Sequence, residues 1–534
     1  MLWIALHLPL LSLETFAATL SHVCPRAAAL RQPPPKGVKE TWGGPAFPCD
    51  QTEPALAIVD AQHIVSANVA ARALGVKPGL KRATALAIAP QITLGQADPA
   101  RDAQALRAVA HAALAFTPSV LIEPAAVDAA PHTVLLEVQA SLRYFGGLSV
   151  LRQRLHAALA PLGHRLHTVS AATPLGAALL ARVHRELDCA DLDATRRALA
   201  NAPVWLLGPG RAHWEALQGM GLRTIADLGQ VPRAGLARRF GERVLSEFDR
   251  AMGRRPDPRE PLALPPAFDT RLELFARADT GEQLLHGAAV LLARLVAWLS
   301  AQHAFVRRFT LVMHHEQRSR RDTTQPGTTA LEIALAEPSR DSAHLLVLLR
   351  ERLASLQLPA PTLELSLHAE DIARRAPPNT ELFPTPASEH EGLTRLIERL
   401  QARLGAAQVT RIAPVQDHRP ERATVTRVAD ALMRPTTRVA QTAHATEALL
   451  VRPVWLMQQP EPLRERDAGP LLDGHALHLL SGPERIETGW WDAGLVERDY
   501  YIAQQPGGAL VWVYRLRKPV APPTPSWFLQ GRFG

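Results

Sequence analysis

Cysteine is scarce in this sequence of 534 residues. The chain has three cysteines, an odd number without a CxxC pair, which argues against a disulfide framework and a structural zinc site. No uninterrupted apolar run reaches the roughly 18 residues that a membrane-spanning helix needs. The N-terminal segment MLWIALHLPLLSLETF lacks lysine, arginine and a small-x-small cleavage site, so we expect a buried first strand there and not a signal peptide. These absences predict a cytoplasmic protein.

Lysine is also rare, because only five of the 59 basic residues are lysines. The net charge is +8 and the isoelectric point is about 9.9. Such a balance is typical of proteins with a polyanionic partner. A codon bias of the genome is the simpler explanation of the arginine excess. The charge by itself therefore favours nucleic-acid binding without establishing it.

The length predicts three to five domains. Strands alternate with helices over residues 1–200, including a hairpin made of 55–60 and 63–68, which predicts an α/β domain. In 201–258, two short helical stretches surround glycine-rich turns. This pattern is typical of a helix-hairpin-helix unit, in which backbone N–H groups approach a phosphate.

The second half of the sequence has a different pattern. Residues 269–372 read strand, helix, strand, strand, helix, strand, the order of a split βαβ module. The end of the chain is β-rich and aromatic. We therefore expect an α/β and α+β multidomain fold. The predicted divisions are 1–200 as the α/β domain, 201–258 as the helix-hairpin-helix unit, 259–268 as a linker, 269–372 as the βαββαβ module, 373–391 as a second linker and 392–534 as a β-rich C-terminal region.

This order of parts resembles the Y-family translesion DNA polymerases. The segments SANVAARALGVKPG, SLRYFGG and SGPERIETGWWD carry the resemblance most specifically. The last of them is similar to the C-terminal region of the ImuB branch, the catalytically defective branch found in a bacterial mutagenic translesion complex. The resemblance covers essentially the whole chain. It implies a palm with inserted fingers, a thumb, a little finger and a C-terminal partner-binding region.

The metal-binding carboxylates of the family are missing from this sequence. Active members are similar in a first strand that reads D-x-D-x-F-F-x-x-x-E, which we align on Glu14. A second segment, S-I-D-E-A-F-L-D-V, aligns on Leu136–Val138. The four metal-binding positions then read Ala5, His7, His132 and Thr133. Because Mg²⁺ takes oxygen ligands, we expect no metal, no cofactor and no enzymatic activity.

Two other elements of the family site are incomplete. The fingers motif A-x-Y-x-A-R has Val69 at the tyrosine position and keeps Arg72, whose simplest role is structural. Other acids, namely Asp60, Glu123, Asp128 and Glu137, are not paired at ligand spacing with the first strand. His7 and His132 are more simply packed histidines than ligands of a transition metal.

DNA binding needs no catalytic carboxylate, because phosphate contacts are made by basic side chains and backbone N–H groups. We expect weak, sequence-independent binding through the thumb and the little finger. A solvated basic surface is the alternative. The candidate residues are Gly208, Gly210, Arg233, Arg238, Arg239, Arg307 and Arg308.

The second linker contains a segment similar to the bacterial sliding-clamp peptide, Q-x-x-L-F. Here it reads Asn379, Thr380, Glu381, Leu382 and Phe383. Leucine and phenylalanine of such a peptide enter a preformed apolar pocket. A second LELF at 272–275 lies in a predicted strand, where core packing explains it.

The sequence thus predicts a non-catalytic, polymerase-like adaptor in translesion synthesis and mutagenesis after DNA damage, as part of the SOS response. The resemblance implies as partners the β sliding clamp, DNA, an error-prone C-family polymerase subunit and the RecA-like accessory protein ImuA, with the complex at the nucleoid. Two alternatives remain open. One is an active low-fidelity polymerase with a rebuilt metal site, and the other is a DNA- and clamp-binding protein without a polymerase partner. The aromatic pairs at 490–491 and 500–501 stack on single-stranded bases, pack within their module or form a docking surface for a partner.

Overall fold

A computed structural model describes residues 1–20, 54–123, 132–208, 213–316, 327–374, 386–429, 452–467, 469–492, 494–518 and 525–533. The chain forms two compact units, Met1–Arg403 and Leu404–Gly534. The predicted boundary between 391 and 392 therefore lies 12 residues before the division that the structure shows at 403.

The first unit begins with a five-stranded sheet in the order β5-β6-β1-β7-β8. Its strands are β1 Trp3–His7, β5 Val120–Ile122, β6 Thr133–Glu137, β7 His167–Ala171 and β8 Glu186–Asp188. The central strand β1 is antiparallel to both of its neighbours. Ile4 and Leu6 point into one buried cluster and Ala5 into another, so both faces of the sheet are covered. A strand buried on both faces reads as a continuous apolar run, as β1 does here.

Helices cover both faces of this palm-like sheet. They are α1 Leu11–Ala17, α4 Pro99–Leu114, α5 Leu142–Phe145, α6 Leu148–Leu159, α7 Pro174–Ala181 and α8 Leu192–Ala200. A small fingers-like layer is inserted between α1 and α4. It consists of β2 Leu56–Asp60, β3 His63–Ala67, β4 Thr93–Gln96, α2 Val69–Ala73 and α3 Arg82–Ile88. The predicted hairpin of β2 and β3 is confirmed, and its strands are antiparallel.

A thumb-like group of short helices follows. It contains α9 Trp214–Gly219, α10 Ile225–Gln230, α11 Arg233–Phe240 and α12 Glu242–Ala251. A capping box between Thr224 and Asp227 begins α10. The apolar faces of these helices share one core with the palm-like sheet, since Leu228 and Phe248 belong to the same cluster as Val169.

The predicted βαββαβ order of the next module is confirmed. It comprises β9 Phe268–Ala278, α13 Gly281–Ala301, β10 Ala304–His315, β11 Thr328–Ser339, α14 Ser342–Ala354 and β12 Thr362–Ala369, with a short β13 Ile372–Arg374 beside β10. Helix α15 Pro386–Leu404 follows. Its inward side reaches the core of this module through Ala402.

Helix α13 is long and apolar enough to cross a membrane by length and composition, with a mean hydropathy of 1.7. Its apolar residues do not form a run of 18, because His286 and Arg294 interrupt them. The helix is 61% buried within the protein over that window. Leu291, Leu295 and Trp298 pack in the core of the module, so the apolar composition is explained by burial.

The predicted linker 259–268 is attached to the palm-like domain. The backbone N–H of Leu262 donates to the carbonyl of Val120 over 2.7 Å. The Arg259 guanidinium bonds to the carboxylates of Glu123, at 2.9 Å, and Asp257, at 2.8 Å. The segment therefore has fixed contacts at its first residues.

The second unit is β-rich, as predicted. A seven-stranded sheet has the order β18-β17-β16-β22-β21-β20-β19, and a separate hairpin is formed by β14 and β15. The strands are β14 Thr410–Pro414, β15 Thr424–Val428, β16 Trp455–Arg466, β17 Gly469–Leu472, β18 His475–Ala476, β19 His478–Thr488, β20 Val496–Gln504, β21 Leu510–Leu516 and β22 Trp527–Arg532. Alternate residues of β20 and β21 enter two clusters, one of them with Tyr500, Trp512 and Tyr514.

Candidate functional site

Three of the four positions aligned with metal-binding carboxylates lie on the paired strands β1 and β6, and the fourth directly precedes β6. In the register of β1 and β6, His7 stands opposite Thr133 and Ala5 opposite Leu135. His132 directly precedes β6, and its carbonyl accepts a hydrogen bond from the Leu8 N–H. Ala5 is fully buried. The structure therefore brings His7, His132 and Thr133 together at one end of the sheet, with Ala5 deeper in its core.

The side chains at this end form a histidine cluster. His7 Nδ1 lies 3.0 Å from the Thr133 hydroxyl, within hydrogen-bond distance. The ring of His7 is 6.4 Å from that of His132 and 5.8 Å from that of His167, measured between centroids. Burial, reinforced by His132 and Arg182, lowers the pKa of His7 to about 3. Burial also lowers the pKa of His132. Both rings are therefore uncharged at neutral pH.

Most of the acids near the sheet already have partners. Glu14, at the position of the family's helix glutamate, lies 3.3 Å from His164 Nδ1 and accepts the Arg165 N–H. Glu123 is paired with Arg259. Asp128 lies outside the described residues. Within the described ranges, no three His, Cys, Asp or Glu side chains are grouped as a metal site requires.

Asp102 of α4 is a buried acid that the sequence analysis missed. It is 5% exposed and accepts hydrogen bonds from the hydroxyls of Ser12 and Thr15 of α1. Its charge raises the pKa of His132, an effect smaller than the opposing effect of burial. Its position three residues before Ala105, on the apolar face of α4, was the signal that could have found it.

The fingers residues have local roles. Arg72 Nε donates to the carbonyl of Ala67 over 2.8 Å, within the same hairpin-to-helix turn. Val69, at the tyrosine position of the family, is 65% exposed. The structural interpretation of Arg72 is consistent with this contact.

Two thumb candidates have intramolecular partners. The Gly208 N–H donates to Glu247 over 2.9 Å, so this amide is occupied. Arg233 forms a two-point ion pair with Asp249, which holds the pKa of that carboxyl below its usual range. Gly210 lies outside the described residues.

The remaining basic candidates are exposed. Arg238 and Arg239 have no ion-pair partner in the part of the chain that the structure describes, and Arg239 lies over the ring of Phe240. On β10, Arg307 is exposed, and Arg308 lies 3.5 Å from Glu332. The structure thus leaves Arg238, Arg239 and Arg307 available for phosphate contacts.

The clamp-type peptide Asn379–Phe383 lies outside the described residues. The competing LELF segment is in β9, as expected. Leu272 and Leu274 are buried in the core of the βαββαβ module. Core packing therefore explains the two leucines, whereas Phe275 is 52% exposed and its ring lies 5.2 Å from that of Phe16.

The aromatic pairs of the C-terminal unit have different environments. Tyr500 is 1% exposed and stacks on Trp512 at 4.2 Å, so the idea that it stacks on bases is wrong. Trp490 and Trp491 are 79% and 54% exposed. They precede Asp492, which is fixed by Arg419 through two hydrogen bonds of 2.9 and 2.6 Å.

The Arg419 side chain holds this turn in place through several hydrogen bonds. It is 2% exposed and also bonds to Asp417 and to the Gly494 carbonyl. The guanidinium lowers the pKa of Asp492 to about 2. An ion cluster therefore holds a turn that presents two tryptophans to solvent.

The protein has a palm with inserted fingers, a helical thumb and a βαββαβ module, and histidines lie at the end of its palm sheet. These parts define a Y-family polymerase-like protein. The chain is 30% identical over 483 residues to Protein ImuB of Caulobacter vibrioides, in each of two strains, covering 86% of this chain and 100% of that protein. The chain belongs to the ImuB family. No family model matches the chain.

Among solved structures, the chain is similar to a ternary complex of Dbh, with a TM-score of 0.37 and 15% identity. It is also similar to DinB from Sulfolobus solfataricus, with a TM-score of 0.35 and 16% identity. Each match covers 70% of this chain and 99% of the other.

Proposed function

We propose that this protein is a non-catalytic adaptor in translesion synthesis and mutagenesis induced by DNA damage. It bridges the sliding clamp, DNA and an error-prone C-family polymerase subunit. The observation that carries the proposal is the end of the palm sheet, where His7, His132 and Thr133 stand at the positions of metal-binding carboxylates.

The chemistry of these side chains explains the absence of catalysis. Nucleotidyl transfer uses two Mg²⁺ ions that are held by carboxylates and neutralise charge on the attacking and leaving oxygens. A neutral imidazole is a poor ligand for Mg²⁺, which prefers oxygen. His7 Nδ1 is moreover engaged with Thr133. Among the described residues, the positions of His7, His132 and Thr133 supply no carboxylate that would hold two divalent cations.

Primer extension tests this proposal. We expect no extension of a primed template above a mock purification, with all four dNTPs and either Mg²⁺ or Mn²⁺. A gel shift on the same preparation is expected to show DNA binding without sequence preference. Extension would instead support the active low-fidelity polymerase with a rebuilt metal site.

DNA binding has its own matched variants. Replacing Arg238 and Arg239 by alanine is expected to weaken the gel shift uniformly across sequences and to lower the salt slope of binding by about 2. Arg233→Ala is the control, because Arg233 is already paired with Asp249. Equal losses in both variants would contradict the assignment of Arg238 and Arg239 as phosphate ligands.

We also propose that Leu382 and Phe383 bind the sliding clamp. Replacing both by alanine is expected to weaken clamp binding by about 100-fold or more, because two apolar anchors leave their pocket. Thr380→Ala, at a variable position of the peptide, is the control and keeps full affinity. Surface plasmon resonance with purified clamp measures both variants. Unchanged affinity of the double variant would move the clamp contact to another peptide.

The C-terminal unit is proposed to recruit the polymerase subunit and the RecA-like accessory protein ImuA. The exposed Trp490 and Trp491, held by Arg419, are the surface that favours a protein contact there. Full mutagenesis by a chain shortened at about residue 390 would instead support a DNA- and clamp-binding protein without a polymerase partner. Docking on the clamp raises the local concentration of the complex at DNA, so weak individual contacts are sufficient.

A further inference from the structure

Helix α15 is attached to the βαββαβ module through a polar side. Glu398 is 8% exposed and accepts a hydrogen bond of 2.6 Å from the Ala336 N–H. Its other oxygen lies 2.8 Å from His344 Nε2. Thr394, one turn earlier, is 2% exposed. Because buried polar groups require such partners, these contacts fix which side of the helix faces the module.

The opposite side of α15 presents leucines to solvent. Leu393, Leu396 and Leu400 are 54%, 53% and 37% exposed. A surface helix normally buries its apolar side and exposes its polar side, and here the arrangement is reversed. The spacing of three and four residues places the three leucines in one stripe, as in a helix that packs along another helix. We call these three residues the leucine stripe.

A row of arginines runs along one flank of the leucine stripe. Arg395, Arg399 and Arg403 recur every fourth residue. The first two bond to Asp341, at 3.1 Å, and Glu351, at 3.2 Å, on the module itself. Arg403 is exposed and has no ion-pair partner among the residues that the structure describes. Of this flank, Arg403 therefore offers positive charge to whatever covers the stripe.

We propose that the leucine stripe docks an amphipathic helix of a partner protein whose apolar side is flanked by acidic residues. Charge complementarity selects this occupant, since acidic side chains opposite Arg403 complete the arginine row. A second copy of the chain fits less well. In an antiparallel two-fold pair, each arginine row would lie beside the same row of the other copy. The proposal depends neither on the absence of catalysis nor on the clamp peptide.

Site-specific crosslinking in cells tests the proposal with the full chain. A benzophenone amino acid replaces Leu396, DNA damage is induced, and crosslinked peptides are mapped by mass spectrometry. We expect capture of a segment of another protein that has leucines every three or four residues and flanking Asp or Glu. The same probe at Leu363, which is 40% exposed on β12 of the same module, is the control and is expected not to capture that segment.

Variants of residues near Leu396 test the apolar and the electrostatic contributions to partner binding separately. Leu393→Ser combined with Leu400→Ser is expected to lower the crosslink yield at least about tenfold. Arg403→Glu is expected to lower it several-fold, whereas Arg403→Lys keeps most of it. The midpoint of thermal unfolding is expected to stay unchanged in these variants, because Leu393, Leu400 and Arg403 are exposed.

Four outcomes would overturn the proposal. They are a crosslink to a second copy, a crosslink to residues 404–534 of the same chain, no yield above the Leu363 control, and equal losses for Arg403→Glu and Arg403→Lys. Primer extension and clamp binding report on the proposed function separately, so a failure here leaves those results unaffected.

Discussion

Replacing Trp298 by alanine is expected to destabilise the first unit by about 3–5 kcal/mol, the usual cost of removing a large buried aromatic side chain. Trp298 is fully buried in the core of the βαββαβ module. Its indole N–H donates to the Pro265 carbonyl over 3.2 Å, and its ring lies 5.7 Å from that of Phe268. The substitution therefore leaves a cavity and also releases the segment that leads from the thumb into β9.

Urea unfolding of the full chain, followed by tryptophan fluorescence and circular dichroism, measures the effect. We expect a lower midpoint for the transition of the first unit with an unchanged slope. Trp214→Ala is the matched control in the same unit, because Trp214 is 50% exposed, and its expected cost is about 1 kcal/mol or less. Similar costs for the two variants would mean that Trp298 does not organise this core.

Local patterns predicted most of the fold. The helix Gly281–Ala301 and the strands around it follow from apolar periodicity and from the capping residue Thr280, which are properties of neighbouring residues. The hairpin of β2 and β3 follows in the same way from two short apolar runs. The alignment of strand motifs named His7, His132 and Thr133, and the pairing of β1 with β6 brings these residues to one end of the sheet.

Contacts between distant residues could not be predicted from these patterns. Asp492 meets Arg419 across 73 residues of sequence, and no periodicity relates the two. In α15, local sequence does not tell that Glu398 is buried and that Leu396 is exposed. Glu398 faces the module because it bonds to His344 and to the backbone of β11, and the tertiary structure brings both of these to the helix.

The same distinction applies to function. The absence of carboxylates at the metal-binding positions can be recognised from the sequence, because identifying a residue type requires no three-dimensional structure. The sequence does not reveal which hydrogen-bond donors already have a partner within the protein. The Gly208 amide is an example, because its acceptor Glu247 lies 39 residues away in the sequence. A basic or glycine-rich motif therefore overstates the number of phosphate ligands until intramolecular partners are known. Among the thumb candidates that the structure describes, Arg238 and Arg239 remain for this reason.

Removing the charge of Arg259 is expected to destabilise the first unit by about 3–5 kcal/mol, because a largely buried ion pair then loses one partner. The side chains of Arg259 and Glu123 are 12% and 11% exposed, and Asp257 also bonds to the guanidinium. Arg259→Met tests the charge while keeping most of the side-chain volume. Arg308→Met, at an exposed pair with Glu332, is expected to cost less than about 1 kcal/mol.

The dependence of this loss on pH identifies its cause. Burial raises the pKa of Glu123 above its usual value in the native chain, and Arg259 opposes that shift. Without Arg259 the pKa of Glu123 rises further, so the folded state binds a proton that the unfolded state releases. Stability of Arg259→Met therefore falls as pH rises above the usual glutamate pKa of about 4.3, and the deficit is smaller at pH 5 than at pH 8. Adding Glu123→Gln is expected to recover part of the stability and to flatten this dependence. A loss of stability that does not depend on pH would instead be assigned to packing of the Arg259 side chain. The segment after the thumb would then be held by the backbone hydrogen bond between Leu262 and Val120.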